Sequence, residues 1–365
     1  MSFEALSACV LGLIALAVGA RFLVDGSSRL ASALGISPLV IGLTVVAFGT
    51  SAPELAVSVH AAWAGQPDIA VGNAVGSNII NVLLILGASA VITPLVVSQQ
   101  LVRMDTPLMI GACVLVYVFA ADGLLSRVNG LILFACVVAY TVFAIRVSKR
   151  ESAGVEQEYA REYGEAKVTG PRTWVLMLAA ILAGLGLLVL GSRFLVEGAS
   201  EIARAYGFSE LVIGLTIVAG GTSLPEIATS IAASARREPD IAVGNVVGSN
   251  LFNMLAVLGL SSVFSPAGVP VSRAALAFDI PVMIGVCVAC LPIFFTGYRI
   301  ARWEGALLLA YWLAYTAYTI FDARGHEASS HLTVVMMEFV IPITLITLAT
   351  ITVRYMREKN RTVPQ

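Results

Sequence analysis

The chain has 365 residues, of which 58% are hydrophobic and only 12% are charged, and its mean hydropathy is +0.90. This composition excludes an ordinary soluble domain and is typical of a polytopic membrane protein, with the lipid bilayer as its surroundings. The formal net charge of −1 gives no electrostatic basis for binding nucleic acid. The apolar N-terminus lacks the basic start and the cleavage site of a signal peptide, so we predict that it is the first span.

Apolar stretches of about 20 residues, the length that crosses a bilayer, recur along the chain. In the first half they cover 5–24, 38–63, 70–93, 104–121 and 128–147. In the second half they cover 173–196, 210–235, 241–264, 275–296 and 303–321. An eleventh stretch, at 333–355, has no counterpart in the other half. The pattern predicts an all-α integral membrane protein with a ten-helix core and one extra C-terminal span.

The two halves are copies of each other. Residues 42–87 and 214–259 align without a gap at a constant offset of 172, and 28 of the 46 positions are identical. We therefore predict two five-helix repeats, at 1–148 and 173–321, joined by a charged cytoplasmic linker at 149–172. The segment 322–365 holds the extra span and a tail. Because five is odd, the second repeat must enter the membrane from the opposite side, so the repeats are inverted.

The distribution of basic residues predicts the orientation of the chain. With the N-terminus outside, seventeen of the 22 Lys and Arg residues fall on the cytoplasmic side and five fall outside. Cytoplasmic loops carry the excess of Lys and Arg. We expect the N-terminus to lie outside, in the plasma (inner) membrane of a prokaryote.

Each repeat contains one short motif that interrupts a span, GTSAPE at 49–54 and GTSLPE at 221–226. Proline breaks the hydrogen-bond ladder of a helix. Ser51 and Glu54 also have the spacing of a capping box, with Pro53 at the first helical position. We therefore predict that the second and seventh spans are each two half-helices. Broken helices at matching places in inverted halves indicate a substrate site near the middle of the membrane.

The broken spans bring oxygen ligands together. Glu54 and Glu226 lie in otherwise apolar stretches, where an unpaired carboxylate costs roughly 3 kcal/mol or more. The breaks should free backbone carbonyls near Ala47 and Ala219. Carboxylate, hydroxyl and carbonyl oxygens are the ligands that hard cations such as Ca²⁺ and Na⁺ prefer. The alternative, that each glutamate only caps its own half-helix, is disfavoured because the same residue recurs at the symmetric position.

A polar stripe follows each break, on the third and eighth spans. Its members are four residues apart and share one helix face; they are Asn73, Ser77 and Asn81, and in the second copy Asn245, Ser249 and Asn253. We predict ion contact for the two serines and for Asn81 and Asn253. For Asn73 and Asn245, and for the neighbouring Asn78 and Asn250, we predict a role in holding helices together. Glycines at 72, 76, 244 and 248 have the spacing that permits close helix approach.

The remaining unusual residues have structural interpretations. Asp105 and Asp279 are predicted to cap the fourth and ninth helices. All five cysteines fall in apolar segments and are predicted to be small buried hydrophobic residues rather than a metal or redox site; they are Cys9, Cys113, Cys136, Cys287 and Cys290.

The two motifs, each followed by GNxxGSNxxN, resemble the paired alpha-repeats of the sodium/calcium exchanger family, within the calcium/cation antiporter superfamily. The resemblance covers about residues 1–321. It implies a ten-helix core with ions bound between spans two, three, seven and eight. The ligands that it implies are Thr50, Ser51, Glu54, Ser77, Asn81, Thr222, Ser223, Glu226, Ser249, Asn253 and the carbonyls of Ala47 and Ala219. The family pattern has an aspartate at one of the two positions that are Asn81 and Asn253 here.

The function that we expect is secondary antiport, with Ca²⁺ leaving the cytoplasm as Na⁺ enters. Two glutamates are neutralised by one Ca²⁺ or by two Na⁺, so the ions compete for the same oxygens. The alternatives are a proton/calcium or a K⁺-dependent exchanger, a channel, and an intramembrane enzyme. The last is disfavoured because the spans carry neither an HExxH motif nor a Ser/His pairing. We predict no cofactor beyond the transported ions, and the sequence leaves the oligomeric state open.

Overall fold

A computed structural model gives the architecture of the chain. It describes residues 3–163, 171–207 and 219–323 and the single position 349, with side chains at all of these except 149–163, 171, 172, 219, 322 and 323. Among the described residues, seven helices are long and apolar enough to cross a membrane, or eight if one bent pair counts as a span. The start of the predicted span at 210–235 and the eleventh span at 333–355, apart from position 349, lie outside the described residues.

The helices follow the predicted spans closely. In the first half they are α1 Phe3–Leu34, α2 Pro38–Thr50, α3 Ala52–Trp63, α4 Pro67–Ile92, α5 Leu101–Phe119 and α6 Arg127–Tyr163. In the second half they are α7 Pro171–Ala205, α8 Ala219–Gly221, α9 Leu224–Ala235, α10 Pro239–Phe264, α11 Ala275–Phe295 and α12 Arg302–Ala323. Because α6 runs to Tyr163, the first part of the predicted linker continues a membrane helix.

Two short strand pairs show that the halves are inverted. Strands β1 Leu95–Val96 and β2 Leu124–Leu125 come from the first half, and β3 Val269–Pro270 and β4 Arg299–Ile300 occupy the equivalent places in the second. β1 pairs with β4, and β2 pairs with β3. With equal orientation, β1 and β4 would lie on opposite faces of a bilayer whose core is about 30 Å thick, and could not pair.

The first helices of the two halves pack along each other in antiparallel directions. A Cβ atom added at Gly12 would lie 2.8 Å from the carbonyl oxygen of Gly191, and one added at Gly19 would lie 2.8 Å from that of Gly184. The backbones therefore touch at these positions, as small residues permit in membranes. Because equivalent helices run in opposite directions, this contact agrees with the inversion.

The predicted break in the second span is present. α2 ends at Thr50, α3 begins at Ala52, and their axes differ by 46°. The break at the equivalent place separates α8, which ends at Gly221, from α9, which begins at Leu224. Proline at the second position of each following half-helix supplies the reason, since it donates no backbone hydrogen bond.

The close approach predicted from the glycine spacing occurs between α10 and α2. A Cβ atom at Gly248 would lie 2.6 Å from the carbonyl oxygen of Leu43, and one at Gly244 would lie 2.8 Å from that of Leu39. At Gly72 and Gly76, no described atom lies within 4 Å of an added Cβ.

The capping role predicted for Asp105 is wrong. Its side chain makes no cap hydrogen bond, and the residue ends a π-helical turn, Leu101–Asp105, that precedes the regular part of α5. The carboxylate is buried and instead accepts hydrogen bonds from the hydroxyl of Tyr140, at 3.0 Å, and from Nε2 of Gln100, at 3.3 Å. Tertiary contact with α6 therefore satisfies a group for which sequence spacing had suggested a local partner.

Candidate ion-binding site

Both glutamates lie in the first turn of the half-helix that follows a break. Glu54 has a relative exposure of 0% and Glu226 of 1%, so neither side chain reaches solvent. The breaks place them there because each proline fixes the start of a new half-helix two or three residues after the interrupted turn. Two buried carboxylates without cationic side chains in the same motifs require another source of positive charge.

The serine of each break contacts the glutamate of the other repeat. The hydroxyl of Ser51 donates to Oε1 of Glu226 at 3.0 Å, and that of Ser223 donates to Oε1 of Glu54 at 3.3 Å. The capping-box prediction for Ser51 is therefore wrong, because Ser51 makes no side-chain cap of its own helix. Ser223 Oγ also lies 3.2 Å from Oγ of Ser77, one of the predicted ligands on α4.

The threonines are held by the first asparagine of the opposite stripe. Thr50 Oγ1 donates to Oδ1 of Asn245 at 3.1 Å, and Thr222 Oγ1 donates to Oδ1 of Asn73 at 3.2 Å. The amide of Asn73 donates in turn to the backbone carbonyl of Glu54 at 3.1 Å. These contacts agree with the helix-joining role that the sequence suggests for these two asparagines.

The last asparagine of each stripe also forms a hydrogen bond with the other repeat. Nδ2 of Asn81 donates to Oδ1 of Asn250 at 2.9 Å, and Nδ2 of Asn253 donates to Oδ1 of Asn78 at 3.1 Å. Asn81 and Asn253 each begin a π-helical turn, Asn81–Leu86 and Asn253–Val257. Such turns are frequent at functional sites because they redirect the side chains of one turn.

Four buried oxygens of these residues lack a hydrogen-bond donor among the described residues. They are Oε2 of Glu54, Oε2 of Glu226, Oδ1 of Asn81 and Oδ1 of Asn253. In each case the other polar atom of the same side chain is bound by the opposite repeat, which fixes the orientation of the free oxygen. Buried acceptors are normally satisfied, and a hard cation is a partner that would satisfy all four.

The predicted carbonyl ligands differ from the expectation in one respect. The break does not free the carbonyl of Ala47, which accepts hydrogen bonds from the backbone amide of Ser51 at 3.0 Å and from the hydroxyl of Thr50 at 3.4 Å. A second contact to a cation would compete with the weaker of these. Ala219 begins the short helix α8, and its side chain lies outside the described part of the structure.

The sequence reasoning missed two serines that support the site. Ser58 Oγ accepts from Nδ2 of Asn73, and Ser230 Oγ accepts from Nδ2 of Asn245, both at 2.9 Å. Both serines are buried. They are related by the offset of 172, so the repeat alignment itself contained the signal. The structure thus surrounds the predicted ligands with a second, equally symmetric layer of hydrogen bonds.

Inverted helical repeats with oxygen-bearing side chains buried at their interface are the architecture of a multi-pass membrane transporter. The family described as "Sodium/calcium exchanger protein" matches residues 5–146 and 176–321. The chain therefore belongs to the sodium/calcium exchanger family.

Similar proteins cover nearly the whole chain. It is 42% identical to "Putative antiporter CaxA" of Alkalimonas amylolytica over 86% of this chain and 98% of that protein. It is 32% identical to "Sodium/calcium exchanger MaX1" of Methanosarcina acetivorans, over 84% of this chain and 95% of that one. Among solved structures, the sodium-calcium exchanger NCX_Mj superposes with a TM-score of 0.74 at 32% identity, covering 87% of this chain and 99% of that chain. These matches confirm the resemblance that the two motifs carry.

Proposed function

We propose that the protein moves Ca²⁺ out of the cytoplasm in exchange for Na⁺, at a site whose two charged ligands are Glu54 and Glu226. The observation that carries the proposal is a set of four buried carboxylate and amide oxygens that have no donor among the described residues, all on residues at the repeat interface. Ca²⁺ takes six to eight oxygen ligands. The hydroxyls of Thr50, Ser51, Ser77, Thr222, Ser223 and Ser249 and the carbonyls of Ala47 and Ala219 complete the proposed ligand set.

The charge of the site accounts for obligatory exchange. Two glutamates carry two negative charges, which one Ca²⁺ or two Na⁺ neutralise. An empty, doubly charged site is costly to move through a low-dielectric barrier, so the protein changes state only when loaded. The names of the relatives, which include sodium/calcium exchangers, support these two ions as the substrates.

Alternating access is proposed to arise from movement of the glycine-joined pair α1 and α7 across the remaining helices. The two helices touch through their backbones over most of their length, so they are suited to move as one unit. The four half-helices and the two polar stripes form the fixed part that carries the ion. We place the N-terminus outside, as the Lys and Arg distribution favours.

The test is uptake of ⁴⁵Ca²⁺ by proteoliposomes with imposed Na⁺, K⁺ or H⁺ gradients. We expect uptake driven by an outward Na⁺ gradient and abolished in Glu54→Gln and in Glu226→Gln. Glu304→Gln is the matched control, because Glu304 is buried outside the site. Its carboxylate accepts a hydrogen bond from the backbone amide of Ala301, and the side-chain oxygen of Gln can accept the same bond. Uptake driven by the H⁺ gradient alone would establish the proton/calcium alternative instead, and a requirement for K⁺ would establish the K⁺-dependent one.

A further inference from the structure

Four sulfur-bearing side chains meet where α5 packs against α11. Met109 and Cys113 lie one helical turn apart on α5, and Met283 and Cys287 are spaced in the same way on α11. All four are fully buried, with relative exposures of 0%. The two pairs are related by an offset of 174, so this sulfur cluster spans the repeat boundary as the ion site does.

The two thiols of the sulfur cluster are close but not bonded. Sγ of Cys113 lies 3.9 Å from Sγ of Cys287, and both are free cysteines. A disulfide would require about 2.05 Å. An ion about 2.3 Å from each sulfur, a common metal–thiolate distance, would subtend an angle of about 116° between them. This angle is close to that of trigonal coordination, which leaves one position for a third ligand.

The two thioethers lie against the asparagine amides that border the thiols. Nδ2 of Asn250 lies 3.6 Å from Sδ of Met109 and 4.0 Å from Sγ of Cys287. Nδ2 of Asn78 lies 3.6 Å from Sδ of Met283. The amide of Asn250 thus contacts both a thioether of one repeat and a thiol of the other, which makes a thioether the candidate third ligand.

We propose that the sulfur cluster is a binding site for a soft monovalent cation of the Cu(I) class. Thiolate and thioether sulfurs select such ions, whereas the hard Na⁺ and Ca²⁺ prefer oxygen. Zinc is disfavoured because its protein sites are built from Cys, His and carboxylate rather than from thioethers. When the cation binds, one thiol releases its proton to solvent, so the metal–thiolate unit is neutral and adds no charge to the membrane interior.

The same asparagines connect the sulfur cluster to the ion site. Oδ1 of Asn250 accepts from Asn81, and Oδ1 of Asn78 accepts from Asn253, while their amide nitrogens face the sulfurs. A cation bound to a thioether competes with the amide hydrogen bond to the same sulfur, so it would shift these amides and the two ion-site asparagines with them. Occupation of the cluster therefore inhibits transport, an effect that rests on the proposed function, whereas metal binding itself does not.

The binding test uses purified full-length protein and Ag⁺ as the probe, followed by native mass spectrometry and calorimetry. We expect tight binding of one Ag⁺ at the cluster, weakened more than about 100-fold in Cys113→Ser/Cys287→Ser, since even second-shell changes cost metal affinity 10- to 100-fold. Cys9→Ser is the control, because Cys9 lies on α1, where its sulfur faces Gly198 of α7 and not the sulfur cluster. Unchanged Ag⁺ binding in the double variant would overturn the proposal. So would a loss of both thiol hydrogens, the mark of a disulfide, in place of metal uptake.

A second variant guards against misfolding of the first. Met109→Leu/Met283→Leu keeps side-chain volume and is expected to weaken Ag⁺ binding by about tenfold while preserving both thiols. In transport assays, Ag⁺ should inhibit ⁴⁵Ca²⁺ exchange in the native protein and not in the double cysteine variant, which should exchange normally without Ag⁺. Equal inhibition in both would overturn the coupling to the ion site. Absence of any exchange would contradict the proposed function, while the binding measurement would still decide the metal site.

Discussion

The hydroxyl of Ser51 donates a 3.0 Å hydrogen bond to Oε1 of Glu226, a residue of the other repeat. The reciprocal bond joins Ser223 to Glu54 at 3.3 Å. Each carboxylate is therefore oriented by the half-helix that carries its counterpart, with Oε2 left for a ligand. Neither repeat can build this arrangement by itself, which gives a physical reason for two inverted copies in one chain.

We predict that Ser51→Ala weakens Ca²⁺ binding by about tenfold, since a hydrogen bond to a charged group contributes about 1.5–3 kcal/mol. Ser223→Ala should have a similar effect through Glu54. The measurement is the Ca²⁺ dependence of exchange in proteoliposomes. Ser262→Ala serves as control, because this buried hydroxyl donates only to the carbonyl of Leu258 in its own helix. Equal affinities in Ser51→Ala and the control would show that the cross-repeat bond does not orient the ligand.

A second prediction concerns the packing of α10 against α2, two helices that both carry proposed ion ligands. Gly248→Ala places a Cβ atom 2.6 Å from the carbonyl oxygen of Leu43, so backbone must shift. Overpacking of this kind costs about 1–3 kcal/mol. Gly285→Ala is the matched control, because no described atom lies within 4 Å of its added Cβ. We expect a lower melting temperature in detergent for Gly248→Ala only; equal melting temperatures would contradict the close packing.

The structure also predicts a difference between the two membrane faces. Arg236, in the turn after α9, forms an ion pair with Asp25 of α1. The equivalent positions in the other half are Ala64 and Glu197, which cannot form this pair. If α1 moves against the remaining helices, the pair must break on one face only.

We therefore expect Arg236→Ala to change the apparent Ca²⁺ affinity measured from the face of Arg236, and to leave the opposite face unaffected. The change should be less than about fivefold, because exposed ion pairs contribute about 0–1 kcal/mol. Arg21→Ala is the control, since Arg21 contacts the same aspartate within a single helix, at 3.9 Å. The measurement is the apparent Ca²⁺ affinity in vesicles of both orientations. An equal change in affinity from both faces would rule out a one-sided contact.

The inverted topology can be tested by labelling. In a variant without the five native cysteines, Gln66→Cys and Arg237→Cys place thiols at exposed positions in equivalent turns of the two halves. We expect an impermeant maleimide to label Gln66→Cys from outside and Arg237→Cys from inside. Labelling of both from one face would contradict the inversion, and labelling with the faces exchanged would reverse only the predicted orientation.

Much of this architecture was predictable because the repeat is read directly from the chain. The offset of 172 and the prolines indicate the breaks, the inversion and the two glutamates that the structure brings to the interface. The partners of those residues were not predictable. Local spacing assigned Ser51 and Asp105 to helix caps, whereas both bind groups on distant segments. The Cys113–Cys287 contact was missed because the offset slips to 174 there, and buried thiols resemble ordinary apolar residues in sequence.

The last prediction concerns the two asparagines whose Oδ1 atoms lack donors, Asn81 and Asn253. Both are neutral, so the fixed charge of the site comes from Glu54 and Glu226 alone. A third Na⁺ would then place an uncompensated positive charge in low dielectric, which is unfavourable. We therefore expect two Na⁺ to bind well, a third to bind poorly, and exchange of two Na⁺ per Ca²⁺.

The measurement is the voltage dependence of Na⁺-driven ⁴⁵Ca²⁺ uptake at a series of clamped membrane potentials. Two Na⁺ per Ca²⁺ makes exchange electroneutral, so the direction of net flux should not respond to voltage. Asn253→Asp adds a third negative charge at a buried oxygen that has no donor among the described residues, and should raise cation affinity while slowing turnover by stabilising the loaded state. Asn250→Asp is the comparison, because Oδ1 of Asn250 already accepts from Asn81. A native reversal potential that fits three Na⁺ per Ca²⁺ would show that this charge count is wrong.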